Sequence, residues 1–273
     1  MSQVRLLKSS DIPQAMLLKQ TVGWNQTEQD WLRVLELEPE GCFGIEREGR
    51  LVATATSTCY GRELAWIGMV LTAAEFRGQG LASTLMRRTL EFLDGRGIQW
   101  VKLDATSMGS GVYRKLGFED ECPIERWLRS PAPASASHLS KDGKWDAALD
   151  RRAFGADRSR LLSKLAVGES FSAPGSGYAM GRPGAVAAYF GPCVAVSPPA
   201  ASSLVESFLS RHSNEPIYWD LLPENQDAVR LAQTFGFERS RQLVRMTRRG
   251  VAAARPLSTS SREVYAIAGF EFG

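Results

Sequence analysis

Val70-Leu71-Thr72-Ala73-Ala74-Glu75-Phe76-Arg77-Gly78-Gln79-Gly80-Leu81-Ala82 reads as the end of a strand, a glycine turn and the first turn of a helix. Beyond it Leu81, Ala82, Leu85, Met86, Leu90 and Leu93 share one helical face, with Arg87, Arg88 and Glu91 off it. Asp94-Gly95-Arg96-Gly97 then ends the helix, because glycine accepts the left-handed conformation found at helix C-termini. A helix start carries N–H groups without intrahelical acceptors and the positive end of the dipole, so it attracts an anion. Gly78 and Gly80 leave the backbone open to a phosphate, and Arg77 adds a cation. By itself such a turn is weak evidence, since most glycines before helices only turn the chain. Two phosphate motifs fail outright. A P-loop needs Lys-Ser/Thr where Leu81-Ala82 stands, and a dinucleotide fingerprint needs a third glycine or alanine where Ser83 stands.

Outward from this stretch the chain alternates strands and helices. Val4–Leu7 is a first strand; Asp11 caps a helix through Met16–Leu18, and Thr27 with Asp30 opens a second through Trp31, Val34, Leu35 and Leu37. Gly41–Glu46 and Leu51–Tyr60 pair through a tight turn, Leu64–Thr72 follows, and after the long helix come Trp100–Ala105 and a helix at Val112–Leu116 stopped by Gly117. Residues 130–140, opening with Ser130-Pro131-Ala132-Pro133-Ala134-Ser135, lack apolar periodicity and read as a linker. Past it, helices are expected at Trp145–Leu149, Arg158–Leu165, Ser202–Leu209 and Ala228–Phe235. Strands are expected at Tyr178–Met180, Ala185–Phe190, Cys193–Val196, Ile217–Leu221, Phe237–Met246 and Tyr265–Phe270. Leu116-Gly117-Phe118-Glu119 is echoed by Phe235-Gly236-Phe237-Glu238, and Asp104 by Asp220, so the halves read as two copies of one module.

The chain has 273 residues and a net charge of +3, a size that suits two domains and a balance that does not favour nucleic-acid binding. Arg239, Arg241, Arg245, Arg248 and Arg249 are the one basic run, read as the solvated side of a late strand. Trp24, Trp31, Trp66, Trp127 and Trp219 could line a pocket, but tryptophans at such places are usually core. The four cysteines are scattered and the histidines are only two, so no metal site is expected and reduced thiols in a cytoplasmic protein are. No signal peptide and no apolar run of membrane-spanning length is read, so no membrane partner is expected.

Arg77-Gly78-Gln79-Gly80-Leu81-Ala82 resembles the Q/R-x-x-G-x-G/A signature of the GNAT superfamily of N-acetyltransferases, and Tyr113-Arg114-Lys115-Leu116-Gly117-Phe118 resembles its Y-x-K-L-G-F segment one strand later. The resemblance is good over about residues 3–128 and degenerate beyond, as in tandem GNAT proteins. It implies an α/β fold of two tandem domains, each a mostly antiparallel mixed sheet flanked by helices: residues 1–129, then the 130–140 linker, then 141–273. It implies acetyl-coenzyme A as co-substrate, without a metal, and direct acetyl transfer to a primary amine on a small molecule or peptide. The pantetheine arm would pair with Met69, Val70 and Leu71, and the pyrophosphate would rest on the backbone of Arg77, Gly78, Gln79, Gly80, Leu81 and Ala82. Tyr113 matches the tyrosine that commonly protonates the departing thiolate.

The superfamily commonly has an asparagine before that tyrosine; here Ser107 or Ser110 stands near its place and would contact the cofactor arm. The general base is open, with Glu63 and Asp104 as candidates, each also readable as a solvated or structural carboxylate. In the second half Val196-Ser197-Pro198-Pro199-Ala200 replaces the glycine turn and Ala232 replaces Tyr113. That copy is expected not to bind coenzyme A productively and to serve a substrate-binding or structural role. A non-catalytic acyl-coenzyme A-binding module is the alternative that the sequence leaves open, as it leaves the oligomeric state.

Overall fold

The computed structural model describes residues 3–132, 143–252 and 255–273. It forms two compact units: Met1–Glu121 with Arg245–Arg255 and Glu271–Gly273, and Cys122–Val244 with Pro256–Phe270. This differs from a linear split after residue 129. Residues 122–129 belong to the second unit, and two late segments belong to the first. Of the expected linker, residues 133–140 lie outside the described residues.

The first unit runs β1 (Val4–Leu6), α1 (Ile12–Gln20), α2 (Glu28–Leu37), β2 (Phe43–Arg47), β3 (Arg50–Tyr60), β4 (Leu64–Thr72), α3 (Leu81–Gly95), β5 (Trp100–Ala105) and α4 (Ser107–Arg114). β1 through β4 pair antiparallel in sequence, and β5 joins β4 in parallel. Thr27 and Asp30 form the expected capping box on α2, satisfying two of the orphan donors at its start. Asp11 behaves differently from the expectation. Its carboxylate takes both Arg5 nitrogens and the Lys8 N–H, and it makes no side-chain cap on α1. Leu81, Leu85, Met86, Leu90 and Leu93 of α3 are buried as the periodicity required, and Leu81 and Leu85 pack with Leu18, Phe43, Ile45, Val52, Ala53 and Leu71. Each such side chain contributes roughly 1.5–3 kcal/mol on burial.

The second unit follows the same order: β6 (Glu119–Arg129, from Cys122 onward), α5 (Ala147–Phe154), α6 (Ser159–Leu165), β7 (Glu169–Ala173), β8 (Gly177–Arg182), β9 (Ala188–Ala195), α7 (Pro198–Leu209), β10 (Ile217–Leu221), α8 (Gln226–Thr234), β11 (Glu238–Arg249, to Val244) and β12 (Val264–Ala266). β7, β8 and β9 pair antiparallel and β10 joins β9 in parallel, as β5 joins β4. Phe171, Phe190, Phe208, Trp219 and Phe237 fill its core. Several expectations change here. β7 is an additional strand; Ala185–Phe190 and Cys193–Val196 are one strand, β9; the expected strand Tyr265–Phe270 is strand only at its start, in β12; and α7 starts at Pro198, four residues earlier than read. Prolines fit there because their missing N–H groups fall where no intrahelical acceptor exists.

Two buried ion pairs fasten the exchanged segments. In the first unit Arg245 of β11 holds both oxygens of Asp104 on β5, at 2.9 and 3.1 Å, and lies over the Trp66 ring. In the second unit Arg126 of β6 holds Asp220 of β10 at 2.7 and 2.6 Å, over Tyr218 and Phe270. The arginine run is solvated only in part: Arg239, Arg241 and Arg249 are exposed, whereas Arg245 is buried against Asp104 and Arg248 is half-buried against Asp94, and Arg239 reaches Glu125 from the surface. Truncating one member of such a pair strands a buried charge. Asp104→Ala and Asp220→Ala are each expected to cost about 3–5 kcal/mol, read as a fall in the denaturant midpoint. Glu91→Ala on the exposed side of α3 is expected to change it by less than about 0.5 kcal/mol.

Candidate functional site

The site grows from a fault in β4. The β4–β5 ladder runs from Leu64 opposite Trp100 to Trp66 opposite Lys102 and stops. On the other edge the β3–β4 register shifts between Thr54/Leu71 and Thr56/Gly68. Met69 sits in the shift with φ of 48°, a left-handed conformation that costs a side-chain-bearing residue about 1–2 kcal/mol. Two hydroxyls on β3 hold the irregular backbone: Thr54 donates to the Met69 carbonyl at 2.8 Å and Thr56 to the Gly68 carbonyl at 3.0 Å. Met69 and Leu71 are buried and Val70 partly so, and the backbone of these three residues lies beyond the end of the β5 ladder.

The glycine turn follows at once. A single 3-10 turn at Ala74–Phe76 leads to Gly78 and Gly80, with φ of 77° and 76°. Gly80 is the N-cap of α3 and brings no side chain to the helix end. The first helical bond runs from the Thr84 N–H to the Gly80 carbonyl. Among the described residues the N–H groups of Gly78 through Ser83, including those of Gln79, Leu81 and Ala82, therefore meet no acceptor. A Cβ built on Gly78 or Gly80 has no atom within 4 Å, so the space over the turn is open. Arg77 is exposed and donates to the Thr72 carbonyl at 3.3 Å. A run of consecutive unpaired donors beneath open space, with a cation beside it, fits a phosphate-bearing ligand.

On α4, Thr106 is the N-cap and accepts from the Gly109 N–H at 3.2 Å. Tyr113 lies inward: its ring covers Gly109, where an added Cβ would come within 3.0 Å of it, and meets Phe118 edge-on at 6.2 Å. Burial pushes the phenol up to about 12, so it carries its proton throughout the neutral range. Gly117, with φ of 85°, ends this segment as the sequence required. Ser110 turns its hydroxyl back to the Ser107 carbonyl and to Arg114, whereas Ser107 is exposed at the helix start.

The carboxylates fall elsewhere. Glu63 precedes β4 and accepts from the Arg62 N–H; seven residues at about 3.3 Å each put it roughly 20 Å from Val70, so the structure does not bring it to the turn. Asp104 has both oxygens committed to Arg245. The expected core tryptophans Trp31, Trp66, Trp127 and Trp219 are buried, and Trp24 partly so. In the second unit Pro198 and Pro199 occupy the start of α7 and Ala232 is buried within α8. A cavity of about 740 Å³ in that unit is lined by residues of the Leu128–Ala132, Thr234–Gly236 and Glu238–Ser240 segments with the end of α7, and by none of the sequence-predicted site residues. Among the described residues no group of three or more His, Cys, Asp or Glu is placed to hold a metal ion, and no helix is long and apolar enough to cross a membrane.

Comparison with known proteins agrees with this architecture. A profile of the acetyltransferase (GNAT) family matches residues 12–118, and an acetyltransferase (GNAT) domain profile matches residues 147–266. An uncharacterized N-acetyltransferase of Methanocaldococcus jannaschii is 28% identical over 115 residues; the match covers 39% of this chain and spans about half (50%) of that relative's length. A crystal structure assigned as an acetyltransferase of Pyrococcus horikoshii aligns with a TM-score of 0.87 at 22% identity, covering 100% of this chain and 96% of that one. A tandem GNAT protein from the clavulanic acid biosynthesis pathway aligns with a TM-score of 0.65 at 14% identity, covering 93% and 100%.

The two kinds of glycine near the site should respond oppositely to a methyl group. Gly80→Ala, at positive φ over open space, is expected to lower stability by about 1–2 kcal/mol through backbone strain alone. Gly111→Ala, inside α4 with nothing within 4 Å, is expected to raise it by roughly 0.5–1 kcal/mol. Thermal denaturation of both variants checks the pair.

Proposed function

We propose, for a chain that belongs to the GNAT family of N-acetyltransferases as a tandem of two domains, that it transfers acetyl from acetyl-coenzyme A directly to a primary amine on its first unit. The observation that carries this reading is the run of unpaired N–H groups from Gly78 to Ser83, next to a strand that has left its parallel partner. In this reading those amides and Arg77 receive the pyrophosphate, and the backbone of Met69, Val70 and Leu71 takes the pantetheine arm as an added strand would be taken. Holding donor and acceptor together removes most of the entropic cost of a bimolecular reaction. A backbone N–H at the β4 fault polarises the thioester carbonyl, and Tyr113, protonated and buried, gives its proton to the leaving sulfur. Ser107, exposed at the start of α4, is the serine available to the cofactor arm.

The second unit lacks the parts for this chemistry, with prolines at the start of α7 and Ala232 in place of the tyrosine. We assign it no coenzyme A site. We also place the protein in the cytoplasm, where its four cysteines, none of them in a disulfide, stay reduced.

Calorimetric titration with acetyl-coenzyme A is expected to give one site per chain, abolished by Gly80→Val. Two sites, or none, would overturn the reading. Acetylation of a panel of peptides with free α-amino groups, lysine peptides and small monoamines then identifies the acceptor class. With the best acceptor, Tyr113→Phe is expected to lower kcat about 10²-fold while the Kd for acetyl-coenzyme A stays within about twofold.

A further inference from the structure

The transfer reading above leaves the proton on the incoming amine without a destination, because Glu63 is roughly 20 Å away along β4 and Asp104 is held by Arg245. A third carboxylate stands at the fault itself. Residues Glu271–Gly273 belong to the first unit and lie across β3 and β4. Tyr60 donates to the Phe272 carbonyl at 2.7 Å, and an added Cβ on Gly273 would fall within 2.6 Å of the Trp66 ring. Glu271 covers Gly68 so closely that a Cβ there would stand 2.7 Å from the Glu271 Cα and 2.9 Å from its carbonyl oxygen. Gly68 is the residue before Met69, where the strand is irregular and where the pantetheine arm would end.

Glu271 is buried, at 4% exposure, and Gln26, in the loop between α1 and α2, donates its amide nitrogen to the carboxylate at 2.9 Å. The other end of that amide, Gln26 Oε1, is buried and has no hydrogen-bond partner among the described residues. A carboxylate and a carbonyl side by side, one of them an unsatisfied acceptor, form a site for a group bearing several N–H donors and a positive charge. A primary ammonium is such a group, and an anionic acceptor is not.

Resting on the acetyl-transfer reading of the first unit, we infer that Glu271 is the catalytic base, with Gln26 positioning the acceptor ammonium beside it. The carboxylate takes one proton from R–NH3+ and later releases it to solvent. The freed lone pair attacks the thioester carbon, the C–N bond forms and the C–S bond breaks. The sulfur takes the phenol proton of Tyr113, and the second proton lost by the nitrogen restores the phenol. The balance is one ammonium and one thioester giving one amide, one thiol and one proton.

The test compares two nucleophiles that differ in their need for a base: ethylamine, which is almost wholly protonated at neutral pH, and hydroxylamine, which is largely neutral there. In wild-type protein both are expected to be acetylated at high concentration. Glu271→Gln is expected to cut kcat/KM for ethylamine about 100-fold and for hydroxylamine less than about threefold, with the Kd for acetyl-coenzyme A unchanged. Glu271→Asp, which keeps the carboxylate, is expected to retain part of the ethylamine activity, and the melting temperature of both variants reports whether they fold. Equal losses for the two nucleophiles in a folded variant, or no loss, overturn the inference and leave the transfer reading intact. Unfolding of Glu271→Gln with full ethylamine preference in Glu271→Asp supports it; equal losses in Glu271→Asp overturn it. Failure of the wild-type protein to acetylate either amine while it binds acetyl-coenzyme A overturns both.

Discussion

Within each unit of this protein, a carboxylate–guanidinium pair joins residues far apart in the chain. Asp104 and Arg245 are 141 residues apart and Arg126 and Asp220 are 94 apart, yet each pair is bidentate, buried and backed by an aromatic ring. A buried pair of this kind adds little net stability over an apolar contact of equal volume, since desolvation offsets the attraction. Its value is selective: β5 and β10 each carry, as the residue before their last, an aspartate that a correctly registered arginine neutralises. A strand aligned one residue out would turn that arginine to the other face and leave a bare charge in the interior. The repeated Asp–Arg arrangement is thus a register lock, one for each unit.

The same logic of backbone satisfaction explains why the candidate site lies where it does. Strands that stay in their ladder have no donors to offer. Where β4 leaves β5 and α3 starts on glycine, donors are released in a row, and the irregularity is held by two threonine hydroxyls rather than by a ladder. The second unit repeats the topology with fewer donors, because Pro198 and Pro199 carry no N–H at the start of the corresponding helix. One architecture therefore carries a glycine turn in one copy and a proline start in the other, and the difference lies in a handful of residues.

Much of this was legible in the sequence, and the reasons are local. The period of α3, the Thr27–Asp30 box, the hairpin of β2 and β3 and the closing glycines are encoded within a few residues of where they act. The glycine turn and Tyr113 were readable for the same reason. What was not legible depends on partners distant in sequence. β7 is five residues long with only Phe171 fully buried, too short for a period to show. The arginines of β11 alternate like a solvated edge, and nothing nearby says that Asp104, Asp94 and Glu125 wait for them. Glu271 stands in an unremarkable Gly-Phe-Glu-Phe-Gly context. Gly68, whose lack of a side chain admits it, is some two hundred residues earlier and reads as an ordinary strand residue.

The late segments of the first unit also set the order in which the molecule can be made. Synthesis proceeds from the N-terminus at roughly 5–20 residues per second, so β1 to β5 emerge well before Arg245–Arg255 and Glu271–Gly273. Until then Asp104 lacks Arg245, and the face of β4 around Gly68 and Trp66 lacks the residues that pack on it. The nascent first unit is a sheet with an unfinished edge, prone to recruiting a foreign strand, and its completion has to wait for the second module to be synthesised and to return those residues. Long-range closure of this kind makes folding slow relative to a chain of the same size built from local contacts. It ties quality control to synthesis: a ribosome that stops early releases a chain whose first unit is still incomplete.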